Sequence, residues 1–164
     1  MTLSDLLHLP QGPVTAPDVW ASPVLAAALI WLGFTDWRLH RLPDRATLPL
    51  IVAGLALAAW RDQSVPWAAL IGAGVAFALF AAIGAVYFRS RGVDGLGLGD
   101  AKLLAGAGAW LGWQSLPGVV LIAALTGLAT ALVLGRRGTT GLPFGPAIAV
   151  AFFLHWLVFV GAAS

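Results

Sequence analysis

The chain has 164 residues, 60% of them apolar and only 10% charged, and its mean hydropathy is +0.91. Soluble domains are about half apolar and about a quarter charged, so a water-soluble globule and a solvated disordered chain are both excluded. The absence of Cys removes disulfides, Cys-based zinc or iron–sulfur sites and thiol nucleophiles, while a net charge of +2, scattered between apolar runs, forms no basic stripe for nucleic acid.

Residues 1–17 contain Asp5 and His8 but no basic residue. A secretory signal needs a positive start, so a short segment lying on the outer surface through Leu3, Leu6 and Leu7 is expected instead. A membrane-crossing helix takes about 20 mostly apolar residues. The first such run is Val19 to Thr35, and the second is Ala46 to Trp60, which can begin at Asp44. The third, Val65 to Phe88, has 24 positions without a charge. Leu103 to Gly135 has 33, too many for one ordinary span, and Gln114-Ser115-Leu116-Pro117-Gly118 interrupts it like a turn. It divides into helices of about 95–114 and about 116–135. The last run is Pro143 to Ala163. The expectation is an all-α polytopic membrane protein of six spans. Both termini lie outside, and residues 18–164 form one transmembrane unit.

Basic residues favour the cytoplasmic side. With six spans, the inner segments hold Arg38, Arg41, Arg45, Arg89, Arg91, Lys102, Arg136 and Arg137, which is eight of the nine basic residues; only Arg61 falls outside. Trp20, Trp60, Trp67 and Trp113 fall at outer helix ends, as an aromatic belt requires. Glycines within the spans, with Gly108 and Gly112 as a GxxxG pair, suit close helix contact.

Ionisable groups at membrane depth point to function. Asp36 closes the first span and Asp100 opens the fourth, both at the inner face. Two carboxylates forced together share a proton, which supplies a base to activate water and an acid for the leaving group. No metal or nucleophilic side chain is then needed, and His8, His40 and His155 are too dispersed to hold a metal. The structural alternative pairs Asp36 with His40, Arg38 or Arg41 and makes Asp100 a helix cap. Gly97 and Gly99 before Asp100 can expose backbone for an extended substrate strand. Lys102 lies about 200° round the helix from Asp100, so it snorkels to the interface or contacts substrate. Asp44 and Asp94 are candidates to face a basic peptide, and Asp44 also suits a helix cap after Pro43. His155 is expected to be buried and bonded to a neighbouring helix, and Pro143 and Pro146 to shape the entry to the last helix.

Three segments carry a family resemblance. They are Asp36-Trp37-Arg38-Leu39-His40-Arg41-Leu42-Pro43-Asp44 with Thr47-Leu48-Pro49-Leu50, Gly97-Leu98-Gly99-Asp100-Ala101-Lys102-Leu103-Leu104 continuing to Trp113, and Leu142-Pro143-Phe144-Gly145-Pro146. Together they resemble the type IV prepilin peptidases. The resemblance implies an aspartic endopeptidase of the bacterial inner membrane that removes the basic leader of prepilins or pseudopilins at the cytoplasmic face. It assigns catalysis to Asp36 and Asp100. Beside it, the candidates for substrate binding or site shaping are Pro43, Asp44, Gly97, Gly99, Lys102, Phe144 and Gly145. It implies no cofactor, no metal and no nucleic-acid partner. The substrate is a basic leader followed by an apolar helix, and the surroundings are lipid. Larger members carry an N-terminal region with Cys pairs, linked to N-methylation. The expectation here is a peptidase-only form, similar to those serving Flp/Tad-type pili. A signal-peptide-peptidase type would place Tyr before the first Asp, where Thr35 stands. A small transporter or scaffold is the non-enzymatic alternative.

Overall fold

A computed structural model describes residues 14–39, 42–91, 97–133 and 144–161. They form six helices: α1 (Ala16–Leu39), α2 (Asp44–Asp62), α3 (Trp67–Arg91), α4 (Leu98–Leu111), α5 (Leu116–Val133) and α6 (Gly145–Gly161). A 3-10 turn at Trp113–Ser115 leads into α5, and no strand occurs among the described residues, so the fold is all-α. Each expected segment contains a helix. By length and composition, α1, α3 and the stretch Trp113–Val133 can cross a membrane, whereas α6 is apolar but shorter. The surface segment with Leu3, Leu6 and Leu7 lies outside the described residues, as do His8, His40, Arg41, Asp94, Arg136, Arg137, Leu142 and Pro143.

Local chemistry sets the helix ends. At the start of α1, the backbone N–H and Oγ1 of Thr15 both donate to Oδ2 of Asp18 at 2.7 Å. An acid three residues into the helix reaches back in this way to its cap. Pro43 stands extended before α2 (φ −71°, ψ 132°), and its carbonyl accepts the N–H groups of Ala46 and Thr47. α4 stops at Gly112, whose φ of +78° suits glycine. The interruption of the long apolar stretch therefore falls at Gly112, ahead of the expected Gln114–Gly118 turn. Pro117 sits instead in the first turn of α5, where its missing N–H leaves no helical bond unmade.

The helices form two layers of three. α4 runs between α2 and α3, α6 runs between α1 and α5, and the two central helices face each other. Within the first layer, a Cβ on Gly72 would lie 2.7 Å from the carbonyl oxygen of Gly108, so the α3 and α4 backbones touch. The GxxxG face expected at Gly108 and Gly112 is thus a backbone contact with α3. Gly54 on α2 leaves room for the Trp110 ring, whose Nε1–H donates to the Leu50 carbonyl at 2.8 Å. Between the layers, the Trp110 ring meets Trp156 edge-on, with centroids 5.1 Å apart. Such edge-to-face aromatic pairs add about 0.5–1.5 kcal/mol to the burial of their area. Every residue from Leu103 to Leu111 is buried. Outward side chains such as Val75, Phe77, Ile83 and Phe88 of α3 are as apolar as this core, as a lipid-facing surface would be.

Cross-helix contacts fix the helix directions. Asp18 at the start of α1 meets Arg61 at the end of α2, and Gly145 at the start of α6 meets Asp36 near the end of α1. Lys102 near the start of α4 meets Asp44 at the start of α2. Asp36, Asp44 and Asp100 therefore share one end of the bundle with Arg38, Arg45, Arg89 and Lys102. Trp20, Trp60, Trp67 and Trp113 are exposed at the other, with Arg61. His155 is buried, but its Nδ1 bonds to Ala151 of its own helix at 2.9 Å rather than to a neighbour. The Nε2 side faces Gly118 of α5, where a Cβ would collide with the ring.

Candidate active site

Asp36 is buried in the last turns of α1. Its Oδ2 accepts the backbone N–H of Gly145 at 3.0 Å. That N–H belongs to the first residue of α6, where unpaired amides and the helix dipole favour an anion. A Cβ on Gly145 would stand 2.6 Å from the same oxygen, so only glycine admits the carboxylate here. One turn earlier, Gly33 lets Pro146 approach to 3.6 Å of where its own Cβ would be. The α1–α6 contact thus holds Asp36 against the start of α6.

Asp100 lies in the first turn of α4, and its N–H donates to the Gly97 carbonyl at 3.1 Å. Asp36 on α1 and Asp100 on α4 therefore stand at the same end of the bundle, one carried by each layer. Gly97 is extended (φ −73°, ψ 148°) and exposed, and a Cβ there would lie 3.8 Å from Asp100 Oδ2. Gly99 differs from the expectation of an exposed strand. It is already helical, and a Cβ there would lie 2.9 Å from the Cβ of buried Leu42. It serves close packing between α4 and the residues leading into α2, whereas Gly97 stays exposed, its carbonyl accepting the N–H groups of Asp100 and Ala101. Neither glycine adopts a positive φ.

Lys102 points away from Asp100, as its position round the helix requires, and its Nζ lies 2.5 Å from Asp44 Oδ1. Asp44 is not the cap of α2. Pro43 occupies that position without a side-chain bond, and Asp44 is the first helical residue. The pair joins α2 to α4 beside the two central aspartates, and the Asp44 side chain is 60% exposed. Phe144 does not reach towards Asp36. Its ring packs on Gly127 of α5, where a Cβ would stand 3.0 Å away, and this seats the start of α6. Arg38 stacks on Phe34 of its own helix, with the guanidinium 4.5 Å from the ring centroid. Among the described residues, no three His, Cys, Asp or Glu side chains are grouped to hold a metal.

Two features escaped the sequence reading. Asp18 and Arg61 form a buried ion pair at 2.7 Å, with side-chain exposures of 0% and 5%. The Arg61 guanidinium also lies 4.6 Å from the Phe159 ring centroid. The available signal was one acid and one base at corresponding outer ends of consecutive spans. Thr47 is fully buried on the α4-facing side of α2, and its hydroxyl has no hydrogen-bond partner.

A model of the type IV leader peptidase family matches residues 23–132. A prepilin leader peptidase/N-methyltransferase of Burkholderia pseudomallei is 45% identical over 129 residues, which are 76% of this chain and 42% of that protein. Proteins of the same name from Dickeya chrysanthemi and Escherichia coli are 44% identical over 163 residues and 36% identical over 148. Those alignments cover 91% and 82% of this chain, and 55% and 64% of the respective relatives. The chain therefore spans less than two thirds of the length of these relatives. No solved structure matches it.

Proposed function

We propose an endopeptidase function from one premise: the chain belongs to the type IV leader peptidase family. In this reading it removes the leader of prepilins or pseudopilins in the bacterial inner membrane, using Asp36 and Asp100 to activate water. The observation that carries the reading is that Asp36, held by the Gly145 N–H, and Asp100, in the first turn of α4, stand at the same end of the bundle, one on each layer. A protonated carboxyl and an ionised one are the complete equipment for hydrolysing an amide without metal or nucleophilic side chain.

The water sits between the two groups. The ionised carboxylate takes a proton from the water as its oxygen attacks the scissile carbonyl carbon. The other carboxyl donates its proton to the carbonyl oxygen, giving a neutral tetrahedral diol. Collapse of the diol breaks the C–N bond: one diol hydroxyl gives its proton back to the second carboxylate, and the amine leaves with the proton returned by the first carboxyl. The Gly145 N–H holds Asp36 in place, and the extended backbone at Gly97 suits a substrate segment unwound to present its peptide bond. Asp44, outermost of the three acids, faces the basic leader. Arg38, Arg45, Arg89 and Lys102 at the same bundle end support a cytoplasmic position for the site.

The test is cleavage of a type IV prepilin by purified protein in detergent. Asp36→Asn and Asp100→Asn should each lose turnover while keeping the wild-type elution volume and helical signal. Cutting at the wild-type rate by either variant would overturn the mechanism.

A further inference from the structure

A cavity of about 780 Å³ lies between α1 and α2. These helices follow each other in the chain but pack sparsely, less than either packs on its central neighbour. The cavity is the open edge of the seam between the two layers. At the opposite edge, Gly112 and the 3-10 turn pack against α3 at the tryptophan end of the bundle. Trp20, Val24 and Ala28 form one wall, Pro49 and Ala53 the other, and Trp110 the floor; none of the lining side chains is charged. On α1, Trp20, Val24 and Ala28 occupy successive positions of a row with spacing four. On α2 the wall runs from Trp60 to Ala46 in the first turn of that helix, about 21 Å. The groove thereby reaches the bundle end where exposed Asp44 pairs with Lys102 of α4, the helix that carries Asp100.

From this continuity we propose, resting on the endopeptidase reading, that the α1–α2 groove seats the apolar helix of the prepilin. The N-terminal end of that helix then arrives at Asp36 and Asp100. The occupant must be apolar along its length and become polar where the groove meets the acids. An apolar helix preceded by a basic leader has that order, whereas an acyl chain has no peptide bond to deliver. A helix entering along this edge reaches the bundle end that carries Asp36, Asp44 and Asp100 without parting any of the closely packed helix pairs.

The chain contains no Cys, so single thiols report cleanly. The probe is a prepilin fragment of leader and apolar helix with one Cys in the helix, oxidised with copper phenanthroline in lipid nanodiscs. Ala53→Cys should form a disulfide with it, and Ala78→Cys on the outer face of α3 should not. In parallel, Ala53→Trp should raise KM for this fragment about tenfold with kcat unchanged. It should leave turnover of a leader-junction peptide lacking the helix as in wild type. Disulfides at Ala78→Cys in place of Ala53→Cys would overturn the proposal. So would pairing of two Ala53→Cys protomers in place of capture of the fragment. Displacement of phospholipid by Ala53→Trp without any change in KM would mark the groove as a lipid site and also overturn it. If wild-type protein cuts neither peptide, the endopeptidase reading fails, while the disulfide pattern still decides what the groove binds.

Discussion

The backbone N–H of Gly145 meets Oδ2 of Asp36 at 3.0 Å, joining residues 109 positions apart in the chain. The contact exists because Gly145 has no side chain. Gly145→Ala would place a methyl carbon 2.6 Å from the carboxylate oxygen, so Asp36 must turn or α6 must retreat. Overpacking of this kind costs about 1–3 kcal/mol. The expected result is a loss of prepilin turnover of about a hundredfold or more, because a misplacement of about 1 Å can cost that much. The fall in melting temperature in detergent should be modest. Wild-type turnover by Gly145→Ala would show that this contact does not position the reacting group.

Lys102 and Asp44 form a partly exposed pair, and pairs of that kind contribute about 1 kcal/mol or less. Lys102→Gln and Asp44→Asn should therefore change thermal stability little, and the double variant should differ little from either single one. Turnover of the prepilin should fall more for Asp44→Asn, which removes the charge proposed to face the basic leader, with the effect in KM. Kinetics of all three variants at low and high salt would check this. A Lys102→Gln protein with far lower kcat than Asp44→Asn would place the ammonium among the reacting groups instead.

The buried pair at the other end behaves oppositely. Asp18 is held by Arg61 and by Thr15, so Asp18→Asn leaves a buried guanidinium without its counter-charge. Breaking one partner of such a pair costs about 3–5 kcal/mol, whereas replacing both is much cheaper. Asp18→Asn should lower the melting temperature markedly, and the double variant Asp18→Asn/Arg61→Met should recover most of it. Turnover measured well below the transition should remain near wild type, because the pair lies at the tryptophan end of the bundle.

Gly108→Leu tests the α3–α4 contact. A side chain there would have to occupy the Gly72 backbone, which cannot yield as a flexible side chain can. The expected outcome is loss of a folded, monodisperse protein in detergent. Gly74→Leu, at a position with nothing within 4 Å of its Cβ, should be tolerated. Size-exclusion profiles of the two variants make the comparison.

The six helices were legible because charge-free runs separated by basic loops leave few other arrangements in a bilayer. The placement of Asp36 and Asp100 at one end followed from the same count. The division into layers was not legible. It depends on which glycines admit which neighbour, and Gly54, Gly72, Gly108 and Gly145 look alike in a sequence. Gly99 was read as exposed backbone because it alternates with Gly97, yet the helix begins between them and buries one of the two contacts against Leu42. Asp18 and Arg61 were hidden by their distance of 43 positions, and by counting Arg61 only as the one basic residue on the wrong side.

Asp36 and Asp100 are carried by different sheets of helices, so no single helix sets the gap between them. That gap is a property of how firmly the α1–α6–α5 group presses on the α2–α4–α3 group. In a membrane the press comes partly from the lateral pressure of the surrounding acyl chains, which detergent supplies differently. Under the proposed function, the reaction at the carboxylate pair would thereby depend on the mechanical state of the bilayer around it.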